Sequence, residues 1–145
     1  MFDGSAKSSS GVSLNEVLLP GPVLLKNLFA ICQRFRRHQF VFSADIEKMF
    51  RQIWLHHDDC DFQRIVWRET PEDPIQHFSL KTVTYGTATA PFLAQRTLHQ
   101  LAADYLDKFP LASSVLLNDF YVDDVMTGCN NVDELISLKD QLLEL

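Results

Sequence analysis

Apolar positions recur along the chain at intervals that change from helical to alternating and back. Behind Pro22, residues Leu24, Leu28, Ile31 and Phe35 share one helical face, which predicts a helix opening at that proline and ending near "RFRRHQ". "FVFSAD", Phe40 to Asp45, is aromatic and β-branched and reads as a strand that ends on an acid, with a short helical turn through "IEKMF" after it. "DFQRIVWRE" and "IQHFSLKTVTYG" flank "TPEDP", whose prolines and acids suit the connection of an antiparallel hairpin. Pro91 then suits a first helical position, and Ala94, Leu98, Leu101 and Tyr105 repeat at helical spacing. "VLLNDFYV" and "VMTG" read as two strands about a tight turn at Asp123-Asp124, and "NNVDELISLKDQLLEL" opens with Asn and acids as a helix should. The first twenty residues, rich in Ser, Gly and Asn and closed by Pro20-Gly21-Pro22, predict a loop. The sum is an α/β chain in the two-layer, α+β sense: an antiparallel sheet with helices on one face, the helix from Pro91 and the last helix forming its cover.

Composition narrows the classes. The 145 residues are 46% hydrophobic with no low-complexity tract, enough for one substantial core. Neither a long apolar run nor a signal peptide is present, so no membrane partner is expected and the expected location is intracellular, in the cytoplasm. Cys32, Cys60 and Cys129 are odd in number and widely spaced, which points to free thiols. The net charge of −6 opposes a stand-alone nucleic-acid binder, so contact with phosphates would rest on local patches or on regions beyond this chain.

Candidate chemistry centres on "NDFYVDDVMTG". Strand alternation would put Tyr121 and Asp123 on one face, with Asp124 diverging at the turn. Crowded carboxylates on a rigid hairpin suit a divalent cation, although a solvated hairpin tip is the commoner use of an Asp-Asp pair. Asp45 ends a strand of its own, and adjacent strands of one sheet could bring it to Asp123. Mg²⁺ takes oxygen ligands and keeps several waters, so two or three carboxylates and substrate phosphates would form its site. Asp45 reads equally as a cap on the following turn.

"FSADIEKMFRQI", "TVTYGTATAPFLAQ" and "FYVDD", in this order and at these separations, resemble the palm motifs of reverse transcriptases. The wording of "FDGSAKSSSGVSLNEVLLPGP" near the start is similar to the Pao/BEL class of long-terminal-repeat retrotransposons. The likeness runs over essentially the whole chain. It implies a reverse-transcriptase palm-like fold in a single partial domain over 1–145, with about 1–39 a fingers remnant and connecting helix and about 40–145 the palm.

The resemblance also implies roles. Asp45 and Asp123 match the metal-binding acids, Asp124 their supporting neighbour, and the Ile46 carbonyl a further ligand. Phe50 matches the aromatic beneath the incoming sugar that excludes a 2′-hydroxyl, and reads otherwise as an ordinary core Phe. Gly86 falls where backbone approaches the nucleotide, and Tyr85 stands where many retroviral relatives place Gln. Tyr121 matches a primer-proximal aromatic. The implied cofactors are two Mg²⁺ ions, with Mn²⁺ as substitute. The implied partners are an RNA or DNA template with its primer, deoxynucleoside triphosphates, and the remaining fingers, thumb and ribonuclease H regions of a polyprotein. The implied reaction is attack of a primer 3′-hydroxyl on the α-phosphate of a deoxynucleotide. Because the chain ends in an apolar-periodic helix without a stop signal, it is expected to be a palm-centred fragment, inactive in primer extension on its own.

Two other readings keep the acids but change their use. One is a silent retroelement remnant that only binds nucleic acid or a partner; the other is an unrelated Mg²⁺ phosphohydrolase, which has no need of Phe50 or the Gly86 segment. "RFRRH" reads as a charged helix end or as a patch for a template backbone. "HHDDC" offers consecutive ligands, a spacing poorly suited to one tetrahedral ion. "SAKSSSG" lacks the Gly-Lys-Ser/Thr ending of a phosphate loop.

Overall fold

A computed structural model describes residues 2–145 and contains five helices and five strands among them. In chain order these are α1 (Leu14–Val17), α2 (Leu28–Phe35), β1 (Phe40–Asp45), β2 (Arg64–Trp67), β3 (Gln76–Ser79), α3 (Ala90–Asp104), α4 (Pro110–Asn118), β4 (Phe120–Tyr121), β5 (Asp124–Cys129) and α5 (Val132–Glu144). The chain forms two compact units, the first from Met1–Pro22 and Lys48–Leu93, the second from Val23–Glu47 and Ala94–Leu145.

The second unit holds a three-stranded antiparallel sheet in the order β1-β5-β4. Register runs from Phe40 opposite Cys129 to Asp45 opposite Asp124, and on the other edge Tyr121 opposes Asp124. Directly opposed residues share a face and successive ones alternate. Val125, Thr127 and Cys129 therefore line one face with Phe40, Phe42 and Ala44, and the three β5 residues are buried. Helices α2, α4 and α5 pack against the sheet. Helix α3 adds buried Ala94, Leu98 and Ala102, so the two-layer α+β expectation holds. Val41, Ser43 and Asp45 share the opposite face with Asp124, Met126 and Gly128.

Two predicted elements differ. Helix α2 begins at Leu28 rather than Pro22, because the Asn27 side chain accepts the Ala30 N–H, a cap that Pro22 cannot supply. "VLLN" is helical rather than extended: Pro110 opens α4, and Ala112, Ser113, Val115 and Leu116 fall on one buried helical stripe, leaving only Phe120–Tyr121 as strand. A short apolar run bounded by turn residues fits a strand or a buried helix equally, and here the proline and the stripe decide for helix.

In the first unit β2 and β3 pair as the predicted antiparallel hairpin, Arg64 opposite Ser79. Its first strand is shorter than "DFQRIVWRE", since His57–Gln63 winds as a 3₁₀ segment. The N-terminal loop contains one unexpected turn of helix, α1, where the Glu16 carboxylate accepts the Ser13 N–H at 2.7 Å. Ser-x-x-Glu is the readable signal for it. No described helix is long and apolar enough to cross a membrane.

Candidate active site

Asp45, Asp123 and Asp124 meet at one end of the second unit's sheet. Asp45 closes β1, Asp124 opens β5 directly opposite it, and Asp123 lies in the turn that joins β4 to β5. Together with Ser43 and Ala44 they line an open cleft of about 410 Å³. Asp45 and Asp124 are exposed, and among the described residues none of the three carboxylates engages in a salt bridge or a side-chain hydrogen bond. The three carboxylates line one cleft and are hard oxygen donors of the kind a Mg²⁺-type ion takes, while among the described residues only His56, His57 and Asp58 bring three ligand atoms within 4.8 Å of one another.

The turn that carries Asp123 is built under strain. Val122 has φ 59°, a left-handed conformation that a β-branched side chain rarely adopts and that costs about 1–3 kcal/mol. It also ends the strand alternation, so Tyr121 is paired across the hairpin with Asp124 instead of sharing a strand face with Asp123, as the sequence pattern had predicted. Hydrogen bonds on both sides hold the turn. Gln95, buried on α3, donates its Nε2 to the Val122 carbonyl at 3.0 Å, and the Ile46 N–H donates to the Asp123 carbonyl at 3.0 Å.

Below the turn, Asp119 is the hub. Its Oδ1 accepts from Arg34 Nε at 2.9 Å, and its Oδ2 accepts from the Thr127 hydroxyl at 2.9 Å. Its carbonyl takes the Met126 N–H, and Arg34 Nη2 donates to the Asn118 carbonyl. Arg34, one of the "RFRRH" cations, is thus used inside the fold. Neither Gln95 nor Asp119 carries a signal in the sequence, since both act through hydrogen bonds to residues distant in the chain or across the hairpin.

The remaining predicted residues gather in the first unit. The rings of Phe50 and Tyr85 meet edge to face with centroids 6.2 Å apart, and the Arg51 guanidinium lies 5.3 Å from the Tyr85 centroid. Phe50 is half-buried and Tyr85 exposed. Gly86 has φ 97° and an added Cβ would stand 2.9 Å from the Phe2 carbonyl oxygen, so this position requires glycine on two counts. Asn15 fixes the loop from both of its amide ends, donating to the Gly86 carbonyl at 2.9 Å and accepting the Ala88 N–H at 2.8 Å. The predicted site residues thus form two groups, Asp45, Ile46, Tyr121, Asp123 and Asp124 in the second unit and Phe50, Tyr85 and Gly86 in the first.

In "HHDDC" the structure brings ring nitrogens of His56 and His57 and a carboxylate oxygen of Asp58 within 4.8 Å of one another, closer than consecutive ligands promised. All three side chains are exposed, and both imidazoles already face the Asp58 carboxylate.

An acid-bearing turn set beside a third acid on a helix-backed antiparallel sheet fits a palm-like fold. The family model for reverse transcriptase (RNA-dependent DNA polymerase) matches residues 8–145, and the chain belongs to that family. No curated protein matches it.

Proposed function

We propose that the chain supplies the metal-binding palm of an RNA-directed DNA polymerase of the Pao/BEL retrotransposon class. The observation that carries this reading is the convergence of Asp45, Asp123 and Asp124 on one open cleft at the end of the sheet. Asp45 and Asp123 would hold the metal with help from the Ile46 carbonyl, and Asp124 would add charge beside them. Bound Mg²⁺, as a pair of ions or with Mn²⁺ in its place, would supply Lewis-acid stabilisation of the charge that develops during phosphoryl transfer. The protein's own contribution is placement: a strained turn held by Gln95 and Ile46 sets two carboxylates beside the strand end that carries the third.

Phe50, Tyr85 and Gly86 bind the incoming deoxynucleotide. Phe50 lies under the sugar and selects against a 2′-hydroxyl, Tyr85 contributes an exposed aromatic face, and Gly86 allows close backbone approach. Tyr121, opposite Asp124, packs near the primer terminus of a template-primer duplex. The test is a Mn²⁺ titration followed by electron paramagnetic resonance on the 145-residue chain and on its Asp45→Asn and Asp123→Asn variants. Each substitution is expected to abolish binding or weaken it at least about tenfold, the consequence of removing a charged ligand from a small oxygen site. Unchanged Mn²⁺ affinity in both variants would refute the assignment.

A further inference from the structure

We infer that Asp119, Arg34 and Thr127 form a positioning clamp that sets the acid-bearing hairpin, and that the Thr127 hydroxyl controls metal affinity from beneath the sheet. This rests on the metal site proposed above and assigns work to residues that no site chemistry requires.

The hairpin is poorly held by its own ladder. β4 has two residues, only two register pairs join it to β5, and the turn between them contains the strained Val122. An edge strand this short is free to slide or splay unless side chains fix it. The Asp119 carboxylate fixes both arms at once. It sits immediately before β4, and one of its oxygens takes the hydroxyl of Thr127 on β5 at 2.9 Å. Thr127 is 2% exposed and lies on the helix-covered face, opposite Phe42 of β1, so the bond joins the two arms on the covered side of the sheet.

The second oxygen is held by Arg34 of α2 at 2.9 Å, and the Asp119 side chain retains 13% exposure. A carboxylate this sheltered needs a matched cation, and the pair then specifies one arrangement of its surroundings. Arg34 also grips the Asn118 carbonyl, so α2, the end of α4 and the start of β4 share one node. From that node the chain runs through Phe120 and Tyr121 to Asp123, and β5 runs back from Asp124 to Thr127. Because β5 is zipped to β1 as far as the Asp45–Asp124 pair, a slide of the β4 arm against β5 moves Asp123 relative to both Asp45 and Asp124.

Two substitutions separate a hydrogen-bonding role from packing. Thr127→Val keeps the branched shape and removes the hydroxyl; Thr127→Ser keeps the hydroxyl and removes a methyl group. Mn²⁺ affinity is measured by electron paramagnetic resonance on the 145-residue chain, with thermal unfolding by circular dichroism confirming a cooperative fold in each variant. Thr127→Val is expected to bind Mn²⁺ about threefold to tenfold more weakly, as when a hydrogen bond to a charged group is lost and part of it was coupled to the site. Thr127→Ser is expected to stay within about twofold of the parent, because the hydroxyl is retained. Parental affinity in Thr127→Val, or an equal loss in Thr127→Ser, overturns the clamp. If Asp45→Asn leaves Mn²⁺ binding intact, the metal site itself is wrong and the clamp falls with it; loss in Asp45→Asn beside parental Thr127→Val removes only the clamp.

Discussion

Gly128→Ala would change the spacing between the two strands that bring the acids together. Gly128 opposes Val41 across the β1–β5 ladder, and a Cβ there would be driven into the Phe40 carbonyl oxygen while standing 2.9 Å from both His38 Cβ and Val41 Cγ1. Ordinary contact of this kind begins near 3.4 Å, and the carbonyl belongs to the backbone, so β1 itself must give way. Overpacking of this sort costs about 1–3 kcal/mol, while replacing glycine at a position without positive φ returns about 0.4–1 kcal/mol through the unfolded chain. The net loss is about 1–2 kcal/mol, a fall of roughly 3–8 °C in Tm for a domain of this size. Because the displaced strand ends at Asp45, Mn²⁺ affinity should fall in the same variant. Calorimetry and a Mn²⁺ titration read the two effects. Gly11→Ala is the control: its φ is 81° with nothing within 4 Å of an added Cβ, so it should lose stability through backbone strain alone and keep its Mn²⁺ affinity. A Gly128→Ala protein that melts at or above the parent and binds Mn²⁺ equally well would refute the strand contact as described.

Three further outcomes follow from particular contacts. Gln95→Leu removes the donor to the Val122 carbonyl and should lower stability by about 1–2 kcal/mol, with faster amide exchange at Asp123 and Asp124; unchanged exchange would show that the turn holds itself. Burial, reinforced by the Glu134 charge, pushes the Cys129 thiol up, so the folded state favours the neutral thiol. Stability should therefore be level below the unfolded thiol's pKa and decline as pH rises toward the folded one, and Cys129 should react with Ellman's reagent more slowly than half-buried Cys32 and Cys60. Hydrogen bonds from Arg64 and then Ser79 hold the Asp61 carboxyl below its usual range, so its contribution is present above the unfolded pKa and lost as pH falls through the folded one. A carboxyl-carbon NMR titration of Arg64→Ala should return Asp61 toward the ordinary value.

The elements that the sequence announced best were those with capping or pairing chemistry of their own. Asn131 accepts the Asp133 and Glu134 N–H groups at the start of α5, as its position before two acids implied, and "TPEDP" does join β2 to β3. Period alone was weaker: Leu24 falls in the helical series behind Pro22, yet the cap at Asn27 excludes it from α2. "VLLN" misled because an apolar run carries no direction until its partners are known. Asp45 and Asp123 were legible as acids at the end of a strand and at a turn, while their meeting depended on antiparallel pairing of segments far apart in the chain. Asp119 and Gln95 stayed hidden because their importance comes from tertiary hydrogen bonds, which no local pattern encodes.

Between β1 and the part of α3 that belongs to the second unit, the chain leaves to build most of the first unit and then returns. For the sheet, that excursion is a closed loop whose entropic toll rises only with the logarithm of its length, about 0.6 kcal/mol for each doubling. The β2–β3 turn, which carries none of the proposed site residues, could therefore be lengthened or trimmed with little effect on how firmly β1 and β5 stay zipped.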